Sequence, residues 1–421
     1  MTSDPAGYDR CSMDAQGDRA AAIFVLPTTT SGQLGPVAGW ISTCGWAAAA
    51  ERELGGAWIV TPQGILTVDE VRRRAAGVER SLATSHRRAR RAIPSLVKTL
   101  TKDAREALRA RRFSVEPLGP WTDAANPVEF VWQRHELFHR AGLDLAATLH
   151  VPSVLFVPAL LMWQAEQWAV RRPLWGQWLE TKAELPALRA ATLVACGSQV
   201  VAQEVFRLGV AEERVIITPT GVDLELFAGP MDRAAARQAT GVGDGFVVGW
   251  AGSFRPFHAL DQLVRAAAGI AGVTLLLVGD GPERPRIEQL TKDLGVTARF
   301  TGMVPHDELP QMLAAMDVGV VLGRADEPFH YSPLKLAEYL AAGLPVVAPA
   351  VPQLTERLDD GRNVAFFQPG DAAGLTAALR ALSEDSDQRS HLAEGGRTIA
   401  HEWSWDHQVR RVRKHLANNR H

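Results

Sequence analysis

At 421 residues the chain exceeds one ordinary core and points to two domains. Hydrophobic residues at 46% and charged residues at 22% exclude a disordered or fibrous protein, and a formal net charge of −2 excludes a global pull toward nucleic acid. Cys11, Cys44 and Cys196 have no metal-ligand spacing, and their odd count argues against a disulfide framework and for a reducing, cytoplasmic location.

Residues 1–20 are polar, without the basic start and long apolar stretch of a signal peptide, and read as a flexible N-terminus. A first series of β-branched and aromatic runs follows: "AAIFVLP" (21–27), "AWIVTP" (57–62), "VEFVWQR" (128–134), "PSVLFVP" (152–158), "TLVACGS" (192–198) and "VIITPTG" (215–221). Helical patterns separate them, which predicts a parallel sheet with helices on both faces. The nearly apolar run "VPSVLFVPALLMW" (151–163) contains two prolines and falls short of the roughly 20 residues that a bilayer span needs, so no transmembrane segment is expected.

Within this half, residues 85–113 carry eight Arg and two Lys against Asp103 and Glu106. Apolar residues recur there at helical spacing, which fits either a solvated basic face over a packed helix or a surface for anionic lipid or a lipid-diphosphate acceptor. After "PTGVDLELFAGP" (219–230) a second series begins: "GFVVGWAGSF" (245–254), "VTLLLVGDG" (273–281), "ARFTGMV" (298–304), "VGVVLGR" (318–324), "PVVAPA" (345–350) and "NVAFFQP" (363–369). The expected organisation is a domain over 21–230, a second over 245–400, and a helix over 401–421 that returns toward the first, with Trp403 and Trp405 packing. Ligands of open parallel sheets sit at the carboxyl ends of the strands, so two facing sheets would enclose a cleft.

The most informative stretch is "FHYSPLKLAEYLAAGLPVVAPA" (329–350). Ser332 is a candidate N-cap with Pro333 at the first helical position, leaving amides that attract phosphate oxygens. Lys335 adds charge in the first turn, and Glu338, one turn on, suits ribose hydroxyls. A purely structural helix would require neither. After the first strand, Gly32, Gly35 and Gly39 are candidates for a loop that either approaches a phosphate-bearing ligand or packs a helix.

With "WAGSFRPFHALDQLVRAA" (250–267), "LLLVGDGPERPRIEQL" (275–290) and "ARFTGMVPHDELPQMLAAMDVGV" (298–320), this stretch makes the chain resemble the family-4 glycosyltransferases, in the subgroup with SPLK in the donor-binding motif. The resemblance implies the GT-B fold: α/β, two Rossmann-like doubly wound domains facing a cleft. It also implies transfer of a sugar from a nucleotide-diphosphate sugar to a hydroxyl acceptor with retention, without metal or cofactor. Glu338 matches the second Glu of the family's paired-glutamate motif; the first falls at His330, where this chain departs from the pattern. His330, Tyr331, Ser332, Pro333 and Leu334 are implied to hold donor sugar and phosphate, and Arg255 and His258 to face the diphosphate. Arg255 suits that role because its fixed fork of donors matches phosphate. Gly281 and Val304 are implied beside the base, and His135, after the 128–134 strand, at the cleft.

Asp385 and Asp387 form an Asp-x-Asp pattern used by metal-dependent transferases of another fold, but "SEDSDQRS" reads as a polar loop rather than a metal site. Two rivals share the expected fold: a noncatalytic nucleotide-sugar-binding protein and a sugar-nucleotide epimerase. A dehydrogenase is disfavoured because no Gly-x-Gly-x-x-Gly follows the first strand. The expected partners are a nucleotide sugar and a hydroxyl acceptor, lipid-linked if residues 85–113 visit the inner face of an anionic membrane, and no nucleic acid.

Overall fold

The computed structural model describes residues 20–27, 38–71, 95–122, 127–167, 170–229, 232–324 and 334–418. Residues 1–19 of the expected N-terminal segment, the glycines Gly32 and Gly35, residues 85–94 of the basic segment, and His330, Tyr331, Ser332 and Pro333 lie outside the described residues.

The first domain is built on a seven-stranded sheet. Its strands are β1 (Ala21–Val25), β2 (Ala57–Thr61), β3 (Gly64–Leu66), β4 (Val128–Arg134), β5 (Ser153–Val157), β6 (Leu193–Cys196) and β7 (Val215–Ile217). They run in the order β3-β2-β1-β4-β5-β6-β7, parallel throughout except for β3. β1 is buried along its whole length, as its unbroken apolar sequence requires of a central parallel strand covered on both faces.

The second sheet has six parallel strands, β8 (Val247–Ala251), β9 (Thr274–Val278), β10 (Thr297–Gly302), β11 (Val318–Val320), β12 (Val346–Pro349) and β13 (Ala365–Phe367), in the order β10-β9-β8-β11-β12-β13. In each sheet the strand order reverses once, beside β1 and β4 and beside β8 and β11. Those switch points open crevices at the carboxyl ends of the strands. The architecture is the two-domain α/β arrangement of the GT-B fold.

One strand, β3, escaped the sequence reading. It is a three-residue antiparallel partner of β2, too short for a periodic signal, and the turn before it is closed by Thr61, whose hydroxyl accepts from Gln63 N and donates to Gly64 O.

Helix Trp405–Asn418 comes from the end of the chain but packs in the first domain, against helix Ala38–Leu54. Trp405, Val409, Val412 and Leu416 join the core that holds Trp46, Trp132 and Phe156, with the Trp46 and Trp405 rings 5.6 Å apart. Gly45 allows this approach, because a Cβ there would lie 2.1 Å from the Trp405 indole nitrogen. Trp403, two residues earlier, is buried in the core of the second domain. The chain therefore ties both cores together within three residues.

Candidate functional site

A cavity of about 480 Å³ lies between the domains. Its floor on the second domain is made where β8, β9 and β10 end. Gly252 N donates to Val278 O at 2.9 Å and Gly279 N to Gly302 O at 2.8 Å, and a Cβ on Gly279 would lie 1.9 Å from Gly252 O. With φ at +118°, Gly279 takes a conformation that also disfavours any side chain.

Helix Leu334–Ala341 forms the adjoining wall. Leu336, Ala337, Tyr339 and Leu340 are buried, and the Tyr339 hydroxyl accepts from Ala251 N at 2.7 Å, fixing the helix to the end of β8. Burial pushes the Tyr339 phenol well above its ordinary value, so it stays un-ionised.

This docking carries Lys335 and Glu338 to the cavity. The Lys335 ammonium is buried, makes no hydrogen bond, and sits 3.8 Å from the centre of the Trp250 ring. Burial lowers its pKa to about 7, with Glu338 opposing the shift. Cation–π contact with Trp250 offsets only part of the lost hydration. A buried cation without a hydrogen-bonded anion beside a cavity is electrostatically prepared for an anionic ligand. Glu338 is buried as well, and its carboxylate meets His306 Nε2 at 2.7 Å.

Arg255 is exposed on the loop after β8. His258, five residues after Ser253 on the same loop, is buried against Trp250, with ring centres 5.3 Å apart, and lines the cavity. Burial, reinforced by Lys335 and Arg255, drives its pKa down to about 2, so His258 offers hydrogen bonding rather than charge. Val304 and Leu334 line the cavity. Gly281 instead serves the close passage of two loops, since a Cβ there would lie 2.7 Å from Phe254 N.

From the first domain come Arg134 and His135, at the carboxyl end of β4. His135 N donates to Phe156 O at 2.8 Å, and its ring is buried, with Nε2 3.0 Å from Glu184 Oε1. Burial holds the Arg134 guanidinium below its ordinary pKa, and Glu136 at 3.5 Å partly compensates.

Sequence reasoning missed His306 and Glu184. His306 follows β10 in "VPHDEL", inside a motif used for the fold, and no local pattern ties it to Glu338, 32 residues on. Glu184 lies 49 residues from His135. Asp385 caps helix Ser386–Glu402, accepting from Gln388 N at 2.8 Å.

A family model described as glycosyl transferases group 1 matches residues 245–385. A D-inositol 3-phosphate glycosyltransferase from Nocardioides sp. is 30% identical over 333 residues, covering 73% of this chain and 69% of that protein. Another of the same name, from Stackebrandtia nassauensis, is 34% identical over 211 residues, 46% of each chain, and the chain spans about half the length of further curated relatives that it matches. Among solved structures, Alr3699/HepE of Anabaena in complex with UDP-glucose superposes with a TM-score of 0.60 at 20% identity, over 94% of this chain and 99% of that one.

Proposed function

The chain belongs to the glycosyl transferases of group 1, and from that premise we propose that it is a retaining, metal-independent glycosyltransferase of family 4, SPLK subgroup, acting on a nucleotide-diphosphate sugar. The observation that carries this reading is the buried Lys335 ammonium without a hydrogen-bond partner at the interdomain cavity, one helical turn from Glu338. Lys335 and Arg255 receive the diphosphate, Glu338 the ribose and Val304 the base. His135 faces the transferred sugar. The acceptor hydroxyl attacks the anomeric carbon as its bond to the diphosphate breaks, on the face the diphosphate leaves, and the hydroxyl proton passes to the departing phosphate. Cations aimed at that growing charge in a closed site stabilise the transition state by several kcal/mol. UDP-sugars are the first donors to test, given the UDP-glucose bound by the Anabaena protein.

Thermal stability against UDP-, GDP- and ADP-sugars tests the donor site. A donor at 100 times its Kd adds about 2.7 kcal/mol to stability. One donor should stabilise the wild type and fail with Glu338→Ala. A donor that stabilises both equally would remove Glu338 from the site, and binding without turnover against any acceptor would make the chain a noncatalytic binder.

The reading includes a lipid-linked acceptor reached by peripheral contact with an anionic membrane, through helix Ser95–Arg112. That helix is docked by its acids. Asp103 takes a two-bonded pair from Arg172 at 2.8 and 2.9 Å and a bond from Trp175 Nε1 at 2.9 Å, and Glu106 meets His139 at 3.0 Å. Burial would raise the Asp103 pKa, but the bonds from Arg172 and Trp175 outweigh it and hold it below the usual carboxylate range. With both acids turned inward, Leu96, Val97, Leu100 and Leu108 stand 44–53% exposed among Lys98, Lys102, Arg105 and Arg109, and Leu174 beside the docking Arg172 is 92% exposed. Apolar groups ringed by cations suit an anionic interface. No helix among the described residues is long and apolar enough to cross a membrane. Sedimentation should show binding to phosphatidylglycerol vesicles and not to phosphatidylcholine ones, weakened about tenfold or more by Leu100→Ser with Leu108→Ser. Equal binding to both vesicle types would rule the surface out.

A further inference from the structure

Glu184 is a buried acid that the reaction just described does not use. It occupies the last position of a single π-helical turn, Glu180–Glu184, between helices Gly176–Leu179 and Leu185–Ala190, and is 1% exposed. Such turns shift a side chain out of the regular helical register and are frequent at functional sites. Its Oε1 accepts from Leu161 N at 2.5 Å and its Oε2 from Met162 N at 3.2 Å, both first-turn amides of helix Leu161–Gln167. Backbone amides can only donate, so both oxygens are held as acceptors and the carboxylate cannot rotate away. The third contact, from His135 Nε2 to Oε1 at 3.0 Å, is therefore one in which the ring donates.

That fixes which nitrogen carries hydrogen. With Nε2 protonated, the lone pair of a neutral ring is on Nδ1, and Nδ1 is the buried ring atom without a hydrogen-bond partner. A buried acceptor left unpaired is destabilising, and His135 is a lining residue of the interdomain cavity although its side chain is 0% exposed, so a donor would have to reach Nδ1 from the cavity side. We propose that Glu184 is a positioning residue: it holds His135 as the Nε2–H tautomer so that Nδ1 accepts a hydrogen bond from a hydroxyl of the transferred sugar. The inference rests on the reading of the cavity as the donor site.

Two measurements on the full chain test it. Nitrogen chemical shifts of histidine-labelled protein, with His135 assigned by its loss in His135→Asn, should show Nε2 protonated and Nδ1 bare in the wild type without any ligand. A protonated Nδ1 with a bare Nε2 overturns the proposal, and this result stands whether or not a variant at position 184 folds. The second measurement is the ratio of UDP to UDP-glucose affinity by calorimetry. Glu184→Ala should let both tautomers appear and weaken UDP-glucose about tenfold with UDP little changed, because UDP lacks the transferred sugar. Glu184→Gln should restore the Nε2–H tautomer and most of the UDP-glucose affinity, since its carbonyl can take the place of Oε1. A purely structural Glu184 would instead weaken UDP and UDP-glucose alike, with the His135 tautomer unchanged in Glu184→Ala, and that pattern overturns the proposal. A wild type that binds neither nucleotide would count against the donor site alone, because the nitrogen shifts decide the tautomer separately.

Discussion

Lys335→Met should weaken UDP binding about 100-fold or more while raising the melting temperature of the ligand-free protein. The two effects have opposite signs for one reason. The ammonium is buried without a hydrogen-bond partner, so the empty protein bears its desolvation, whereas a diphosphate would supply the missing anion. Truncating one partner of a buried charged pair typically costs 2–5 kcal/mol, and replacing an uncompensated buried charge by an apolar chain of similar length commonly stabilises. The pH dependence follows with a definite sign. The folded pKa of about 7 lies below the ordinary lysine value of 10.5, so the unfolded chain holds the proton more tightly between those values. This group's contribution to the stability of the free protein therefore falls as pH drops from 10.5 to 7 and is constant below that. A bound diphosphate favours the charged form, so binding takes up a proton above pH 7 and affinity declines by up to about tenfold per pH unit there. Calorimetry in buffers of different ionisation enthalpy measures that uptake directly. Lys335→Met should abolish it; an unchanged proton uptake in the variant would assign the effect to another group.

Trp405→Ala should cost about 3–5 kcal/mol of stability, read as an earlier urea or thermal transition, although the residue lies 16 positions from the chain's last. Its indole is 1% exposed and meets Trp46, in a core to which Trp132 and Phe156 also belong. The polar links of the same helix are weaker candidates for holding it. Arg413 pairs with Glu129 through two bonds at 2.7 and 2.8 Å, and Arg52 with Asp406 at 2.7 and 2.8 Å, but both pairs are partly solvated and pairs of that kind contribute about 0–1 kcal/mol each. Arg413→Ala should accordingly shift the transition far less than Trp405→Ala. Equal shifts would mean that the ion pairs rather than the aromatic packing hold the helix in place.

The sequence was legible where physics acts over short distances. Apolar runs marked twelve parallel strands, most clearly the central β1, β8 and β9, which are buried along their whole length because both faces are covered. β3 was not, since three residues beside a turn carry no period. Lys335 and Glu338 stood out because a helix with an otherwise apolar face has no packing use for them. The opposite holds for His258, which the resemblance implies to face the diphosphate and which burial against Trp250 holds neutral.

The alternation of apolar runs and helical patterns by itself determined a two-domain α/β chain, and the spacing of its motifs picked out the helix that bears Lys335 and Glu338. Only the tertiary structure decided what those residues meet. His306 reaches Glu338 because β10 ends beside that helix, Glu184 reaches His135 across 49 residues through a π-helical turn, and the acids of helix Ser95–Arg112 face inward while its leucines face out. Local propensity and periodicity are set by neighbours a few residues apart. The partner of a buried charge is set by which strand ends and helix faces the packed sheets bring together, and no single segment contains that information.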